Sequence, residues 1–496
     1  MQVLFSIGAD RMNRTGKFIV LTAIIISLTS RAMRAETAKN NPKFDLHVLL
    51  ELPVGSPIGQ LRAVPVSLGE DKPRALLAVY CADAEVDPYV EMFFFPKDTL
   101  KLMLFTQQGE ILWKRDLGPG VVPGIWFCPV FPFDLDNDGV EEIWFVNNID
   151  PDHPLSLKNS RLERINARTG KTSGQWPWSN PERNQSPSHT FRNFILGGYV
   201  KGKPVLVTAQ GTYGPMKLQG WNPDMSLRWE YVIESESPGA RGSHMCPVVD
   251  INHDGIDEIF WGERCIELNT GKELFCADRD SYRGHSDVVQ PVLDRVKNRW
   301  FIYTCRESGG VSPRVVMFDD TGRRVWGDLK TGHMDMGWAA RIGENGEHIV
   351  MAVRIGAKSA GPQGFFRQET EEFTYKVFTG EKCSLPYSAF CTLPVDLNGD
   401  GVHELVRGLA EGNGEVIDKA GRVIGNIDGS VAIASKFMDL PGEQILSYGR
   451  DGIIRVWADR NAKDGIQALQ RYKHPFYKAN QRLTATGYNV VNLGGL

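Results

Sequence analysis

Arg168-Thr169-Gly170-Lys171-Thr172-Ser173-Gly174-Gln175-Trp176 is one copy of a phrase that recurs along the chain: a polar pair, a glycine, and a large apolar anchor a few residues on. Other copies are Gln107-Gln108-Gly109 to Trp113, Asn269-Thr270-Gly271 to Phe275, Asp320-Thr321-Gly322 to Trp326 and Lys419-Ala420-Gly421 to Ile424, with Phe378-Thr379-Gly380 lacking a clear anchor and Pro223-Asp224 to Trp229 lacking the glycine. The glycine suits the positive φ of a tight hairpin turn, and the anchor fills space between packed sheets. Successive copies lie roughly 40 to 60 residues apart, enough for four short strands each. Gly and Pro punctuate the apolar runs between them, and no helical period is sustained. An eighth unit, 431–438, 444–449 and 453–457, lacks an outer strand, and the early strand 46–52 is placed to supply it. The pattern predicts an all-β β-propeller of four-stranded antiparallel blades. Eight blades are favoured and seven are the alternative, with the ring closed by the N-terminal strand.

The bulk composition narrows the class. Of the 496 residues, 42% are hydrophobic and 23% charged, and the net charge is −4, as in an ordinary soluble globular protein. No basic run occurs beyond the N-terminus, which argues against a nucleic-acid partner. Arg11, Arg14 and Lys17 precede the apolar run 18–28, and Ser30-Arg31-Ala32 follows it; that is the order of a secretory signal. The run is shorter than the roughly 20 residues a membrane span requires. Residues 1–35 are therefore expected to be a signal peptide. Residues 36–496 are expected to form one propeller domain, secreted or periplasmic, monomeric and without a membrane span. The eight cysteines are widely spaced and without CxxC pairs; they read as mostly buried free thiols, with one bridge and one metal ligand left open.

One motif occurs three times. Asp134-Leu-Asp136-Asn-Asp138-Gly139 is followed by Glu142, Asp250-Ile-Asn252-His-Asp254-Gly255 by Glu258, and Asp396-Leu-Asn398-Gly-Asp400-Gly401 by Glu404. Alternating oxygen ligands, a glycine to turn the backbone and a later carboxylate make a flexible cage for Ca²⁺. An EF-hand is excluded, because its glutamate comes at loop position twelve between helices. Here the glutamate comes at position nine, between strands.

Histidines open three consecutive units: His244, His285 and His333. Converging near the channel with Cys265 or Cys246, they would form a tetrahedral Zn²⁺ set. Upstream, Ser188-His189 opens the third unit, Tyr213 follows its second strand, and Arg228 stands before Trp229. His, Tyr and Arg are the groups needed to break a uronate glycoside by β-elimination, in which one neutralises the carboxylate and two move protons.

With its DxDxDG-type loops, the segment His285–Asp287 and the stretch from Tyr213 to Arg228, the chain resembles polysaccharide lyases built on β-propellers. These are ulvan lyases and, more distantly, rhamnogalacturonan lyases; the loops themselves are similar to those of FG-GAP and integrin-type propellers. The resemblance implies proton transfer by His189 and Tyr213, carboxylate binding by Arg228, and a structural zinc on His244, His285, His333 and Cys265. A second, upstream histidine is also typical of ulvan lyases, and His153 is the candidate. The expected partner is an acidic polysaccharide. The alternative function is a non-catalytic calcium-binding propeller that recognises glycan or protein at the cell surface.

Overall fold

The computed structural model describes residues 44–496 except 90–91, 151–154, 156–158, 179–185, 308–309, 311, 362–363 and 488–492. The expected signal peptide and His153 lie outside the described residues. The chain forms a ring of eight four-stranded antiparallel sheets. Blade 1 is Gln60–Val66, Ala75–Cys81, Lys101–Phe105 and Ile111–Asp116; blade 2 is Val130–Phe133, Glu142–Asn148, Ser160–Ile165 and Thr172–Pro177. Blade 3 is Asn193–Val200, Lys203–Gln210, Met216–Trp221 and Leu227–Ile233; blade 4 is Val248–Val249, Glu258–Trp261, Arg264–Glu267 and Glu273–Cys276. Blade 5 is Ser286–Asp294, Arg299–Arg306, Val315–Asp319 and Arg324–Asp328. Blade 6 is His333–Arg341, His348–Ile355, Glu371–Lys376 and Lys382–Cys383, and blade 7 is Leu393–Val395, Glu404–Val406, Glu415–Ile417 and Val423–Asn426. Blade 8 joins Ser430–Ser435, Gln444–Tyr448 and Ile453–Asp459 to Leu46–Pro53, so the N-terminal strand closes the ring.

First strands are mostly buried and fourth strands mostly exposed or half-buried, which puts the first strand of each blade at the channel and the fourth at the rim. The recurring phrase forms the turn from third to fourth strand, and its glycine has a second task beyond its φ. A Cβ on Gly170 would lie 2.7 Å from Trp113, one on Gly271 2.5 Å from Trp229, and one on Gly380 2.6 Å from Trp326. Each anchor thus packs against the turn of the next blade. The indole N–H groups of Trp113, Trp229 and Trp326 also donate to carbonyls of Ala167, Leu268 and Val377, each at 2.7 Å. The repeat therefore encodes blade-to-blade docking as well as the hairpin. All eight cysteines are free thiols, six of them buried, so no bridge forms.

After the last blade, helices Ile466–Lys473 and Pro475–Gln481 and the 3₁₀ turn Arg482–Ala485 cover one face of the ring. Arg482 Nε donates to Glu141 at 2.8 Å, Asn480 bonds the Val248 backbone, and Thr484 donates to the Ala63 carbonyl at 2.8 Å. This cap forms the floor of the channel and leaves the opposite mouth for chemistry.

Candidate active site and metal centre

Antiparallel order decides which loops share a face. The first strand of every blade begins, and the second ends, at one face of the ring; the loop between them lies on the other. His189 sits in the one-turn helix Pro187–Thr190 that leads into blade 3, and Tyr213 follows the second strand of that blade. His244 precedes blade 4, His285 and Asp287 begin blade 5, Glu307 follows its second strand, and His333 and Asp335 begin blade 6. All of them therefore gather at the open mouth. The three acidic loops join first to second strands of blades 2, 4 and 7, and lie at the capped face.

The mouth is a chain of rings. The centroids of His189 and Tyr213 are 6.1 Å apart, those of Tyr213 and His285 4.7 Å, and those of His285 and His244 4.5 Å. Tyr213 adopts φ 65°, a left-handed conformation that costs a bulky residue about 1–3 kcal/mol and persists where its surroundings impose it. Arg241 imposes it: the Tyr213 N–H donates to the Arg241 carbonyl at 3.1 Å, and Arg241 Nε donates to the Tyr213 carbonyl at 2.9 Å. The Tyr213 hydroxyl donates to Glu307 Oε2. Burial, and then the Glu307 charge, hold the phenol well above its usual range. Burial, with Arg192 and Arg241 nearby, lowers His189 and keeps it neutral.

Behind the rings lies a nest of carboxylates. Asp287 Oδ1 is 3.4 Å from His244 Nδ1 and 3.7 Å from His285 Nε2, and Asp287 Oδ2 is 3.3 Å from His333 Nε2. His244, His285 and Asp287 offer ligand atoms within 4.8 Å of one another, as do Asp287, Glu307 and His333. Asp287 Oδ1 is buried with no hydrogen-bond partner among the described residues. Burial and the adjoining Glu307 push Asp287 up to about 7, and burial pushes His285 down to about 4. Burial opposes charge on His333, yet Asp287, Asp335 and Glu307 push it up to about 10. Two neutral imidazoles facing the Asp287 carboxylate, whose charge burial opposes, make a donor set that suits a borderline divalent cation.

Three residues expected at the site lie elsewhere, and each is a correction. Cys265 belongs to a third strand and packs in the apolar layer with Phe260 and Ile302; burial holds its thiol well above the usual range. Cys246 is likewise buried, in the core layer with Val248 and Trp261. The expected set of three histidines and one thiolate is replaced by two histidines on Asp287, with His333 in a second group around the same carboxylate. Arg228 lies on the rim strand of blade 3, exposed, donating to the Asn269 carbonyl at 2.8 Å and to Asn222 at 3.0 Å. An outer strand cannot reach the channel, so Arg228 braces a turn.

Glu307 and Asp335 escaped the reading of the sequence, although Asp287 and Asp335 carried one signal: a charged residue at the start of an otherwise apolar inner strand. Pairing slips between Ser286 and Val288 and between Met334 and Met336. These bulges re-aim Asp287 and Asp335, as bulges beside active sites do.

The acidic loops share one backbone. Position four is left-handed in each (Asn137 φ 62°, His253 φ 60°, Gly399 φ 75°), as is the glycine at position six. The N–H of that glycine donates to the first aspartate at 2.9, 3.0 and 3.0 Å, and the later glutamate accepts from position two at 3.1, 2.9 and 3.0 Å. Glu258 Oε1 is buried without a hydrogen-bond partner among the described residues. Burial, then the loop aspartates, push Glu258 up to about 8. The third loop differs, because Arg471 of the cap lies 3.5 Å from Asp396.

Comparison with known proteins bears on the same stretch. A family described as the C-terminal domain of rhamnogalacturonan lyase family 11 matches residues 192–361, a span that includes Tyr213, His244, His285, Asp287, Glu307 and His333. The rhamnogalacturonan exolyase YesX of Bacillus subtilis (strain 168) is 24% identical over 343 residues, 60% of this chain and 52% of its own. The rhamnogalacturonan endolyase YesW of the same organism is 24% identical over 262 residues, 45% of this chain and 42% of its own. The chain thus spans about half the length of the curated relatives it matches. The crystal structure of the exotype rhamnogalacturonan lyase YesX superposes with a TM-score of 0.68 at 18% identity, covering 88% of this chain and 80% of that one, a likeness of fold.

Proposed function

We propose that the chain is a polysaccharide lyase that cuts a uronate-containing polysaccharide of the rhamnogalacturonan type by β-elimination. The observation that carries this reading is Tyr213, held in a left-handed backbone conformation with its hydroxyl among His189, His285 and Glu307. The relatives named above support the class of substrate.

In this reading the uronate lies across the open mouth. His244, His285 and Asp287, with Glu307 beside them, would hold a divalent cation, which when bound would neutralise the sugar carboxylate and acidify the C5 proton. Neutral His189 accepts that proton; the C4–O4 bond breaks as the C4–C5 double bond forms. Tyr213 keeps its proton at neutral pH, so it donates to the departing O4. Glu307 orients the hydroxyl for that transfer. Incubation with rhamnogalacturonan should produce the ultraviolet absorbance of an unsaturated uronate, and a neutral galactan should not. Absence of absorbance on every acidic polymer would refute the lyase and favour a glycan-binding propeller. Because Arg228 is on the rim, Arg228→Ala should leave kcat/KM within about twofold of the parent; a large loss would return it to the site.

We also assign the acidic loops of blades 2, 4 and 7 to calcium, supported by their shared backbone and the buried orphan oxygen of Glu258. Such an ion stabilises only the folded ring, so chelation should lower the Tm by about 5 °C, and Asp136→Ala should reproduce part of that loss. An unchanged melt in chelator would mean that hydrogen bonds alone hold the loops.

A further inference from the structure

Blade 6 carries an extra hairpin, Ala357–Gly361 paired with Gly364–Gln368, between its second and third strands. Its second strand ends with Ile355 opposite His333, so the hairpin rises from the open mouth beside the candidate site. Lys358 and Arg367 are cross-strand partners. Like charges placed opposite each other destabilise a hairpin, so this pairing needs a compensating reason. Part of it is buried Asp335, which holds both: Lys358 Nζ is 3.2 Å from Oδ1, and Arg367 Nε donates to Oδ2. Arg367 is further fixed by Glu411, at 2.8 Å. Strand alternation puts Phe365 on the same face as the two cations, and Lys358 Nζ lies 5.5 Å from its ring centroid.

That face looks into a cavity of about 210 Å³ in the channel, lined by Lys358, Phe365 and Arg367 on one side and by His244, Asp287 and Arg62 on others. Glu85 also lines it. Asp335 is engaged by the hairpin cations and Asp287 faces the imidazoles, so neither is a free counter-charge for a third party. A half-buried ring next to an ammonium group is a fitting surface for a pyranose bearing a carboxylate: the ring takes the apolar face of the sugar, and the ammonium takes the anion.

We propose that this hairpin selects the substrate: Lys358 receives the carboxylate of an acidic sugar, Phe365 carries the adjoining apolar ring face, and Arg367 braces the hairpin over the cavity. The proposal deepens the lyase reading and rests on its substrate class. It is tested by titration calorimetry of a rhamnogalacturonan oligosaccharide and of its carboxyl-reduced, neutral derivative, in chelator so that no cation answers the carboxylate, and in a Tyr213→Phe background that slows turnover. The acidic form should bind at least about 10-fold more tightly, the scale of one charge-assisted contact. Lys358→Gln should cut that ratio to about twofold and leave the affinity for the neutral form unchanged; Lys358→Arg should keep the ratio. Phe365→Ala should weaken both ligands by the same factor. A full ratio in Lys358→Gln, or no preference before substitution, overturns the proposal. If the ratio collapses in Lys358→Gln while the chain with Tyr213 intact releases no unsaturated uronate, the hairpin assignment stands and the lyase falls. If the ratio persists and the intact chain cleaves, the reverse holds.

Discussion

Tyr213→Phe is expected to lower kcat on rhamnogalacturonan by roughly 10² or more, the usual size of a lost general acid, with the Tm unchanged. The substitution removes only the hydroxyl that donates to Glu307. Ring contacts with His285 and His189 remain, and so do the backbone bonds to Arg241. Glu307 keeps His333 Nε2 at 3.6 Å, so its charge is not left stranded. KM should move little, because the proton is needed in the transition state and contributes little to ground-state binding. His189→Ala should give a loss of similar size, since a base and an acid serving one elimination fail together. Retention of parental turnover by both variants would mean that chemistry takes place elsewhere on the mouth.

The largest expected loss of stability is at Glu263, which bears on the site from below. Glu263 is fully buried and accepts from Ser286 Oγ at 3.1 Å, Thr304 Oγ1 at 3.1 Å and Arg306 at 2.8 and 2.5 Å. Arg306 is itself buried and has Asp278 as its other anionic partner, at 2.7 Å. Removing one member of such a pair leaves a buried charge without its main counter-ion, which costs about 3–5 kcal/mol. Glu263→Ala should therefore lower the Tm by several degrees. It should also lower kcat, because Ser286 lies between His285 and Asp287. Glu263→Gln keeps the acceptor but not the charge and should fall between the two in Tm. A Tm equal to the parent in Glu263→Ala would remove this network from the account of how the site is held.

The fold was legible because its signals are local. A turn glycine and its anchor fit within about ten residues, and the same few contacts recur in successive blades, as Gly170 on Trp113 and Gly271 on Trp229 illustrate. Ring closure was readable too, since the last unit lacked one strand and the first strand lacked a sheet. The acidic loops were visible for the same reason, and the structure gives all three one backbone. The site was only partly legible, because it is built across blades. His189, Tyr213, His244, His285 and His333 were marked by residue type at blade starts or turns, and all reach the same mouth. Glu307 was hidden, since nothing in a single strand says which end of it faces a histidine from another blade. Asp287 and Asp335 depend on bulges that only strand pairing reveals. Arg228 and Cys265 misled for a related reason: proximity in sequence does not distinguish an inner strand from a rim strand or an inter-blade layer.

The central claim is that bond cleavage at this mouth is an elimination, and the fate of solvent oxygen decides it most directly. The chain should be incubated with a rhamnogalacturonan oligosaccharide in water enriched in heavy oxygen, and the products weighed by mass spectrometry. Elimination adds no water, so the account predicts a new non-reducing end lighter by one water than a hydrolysis product, no heavy oxygen incorporated at the cut, and roughly 10²-fold slower release of that product by Tyr213→Phe. A saturated new non-reducing end, with heavy oxygen on the anomeric carbon of the new reducing end, would make the chain a hydrolase and contradict the roles given to His189 and Tyr213.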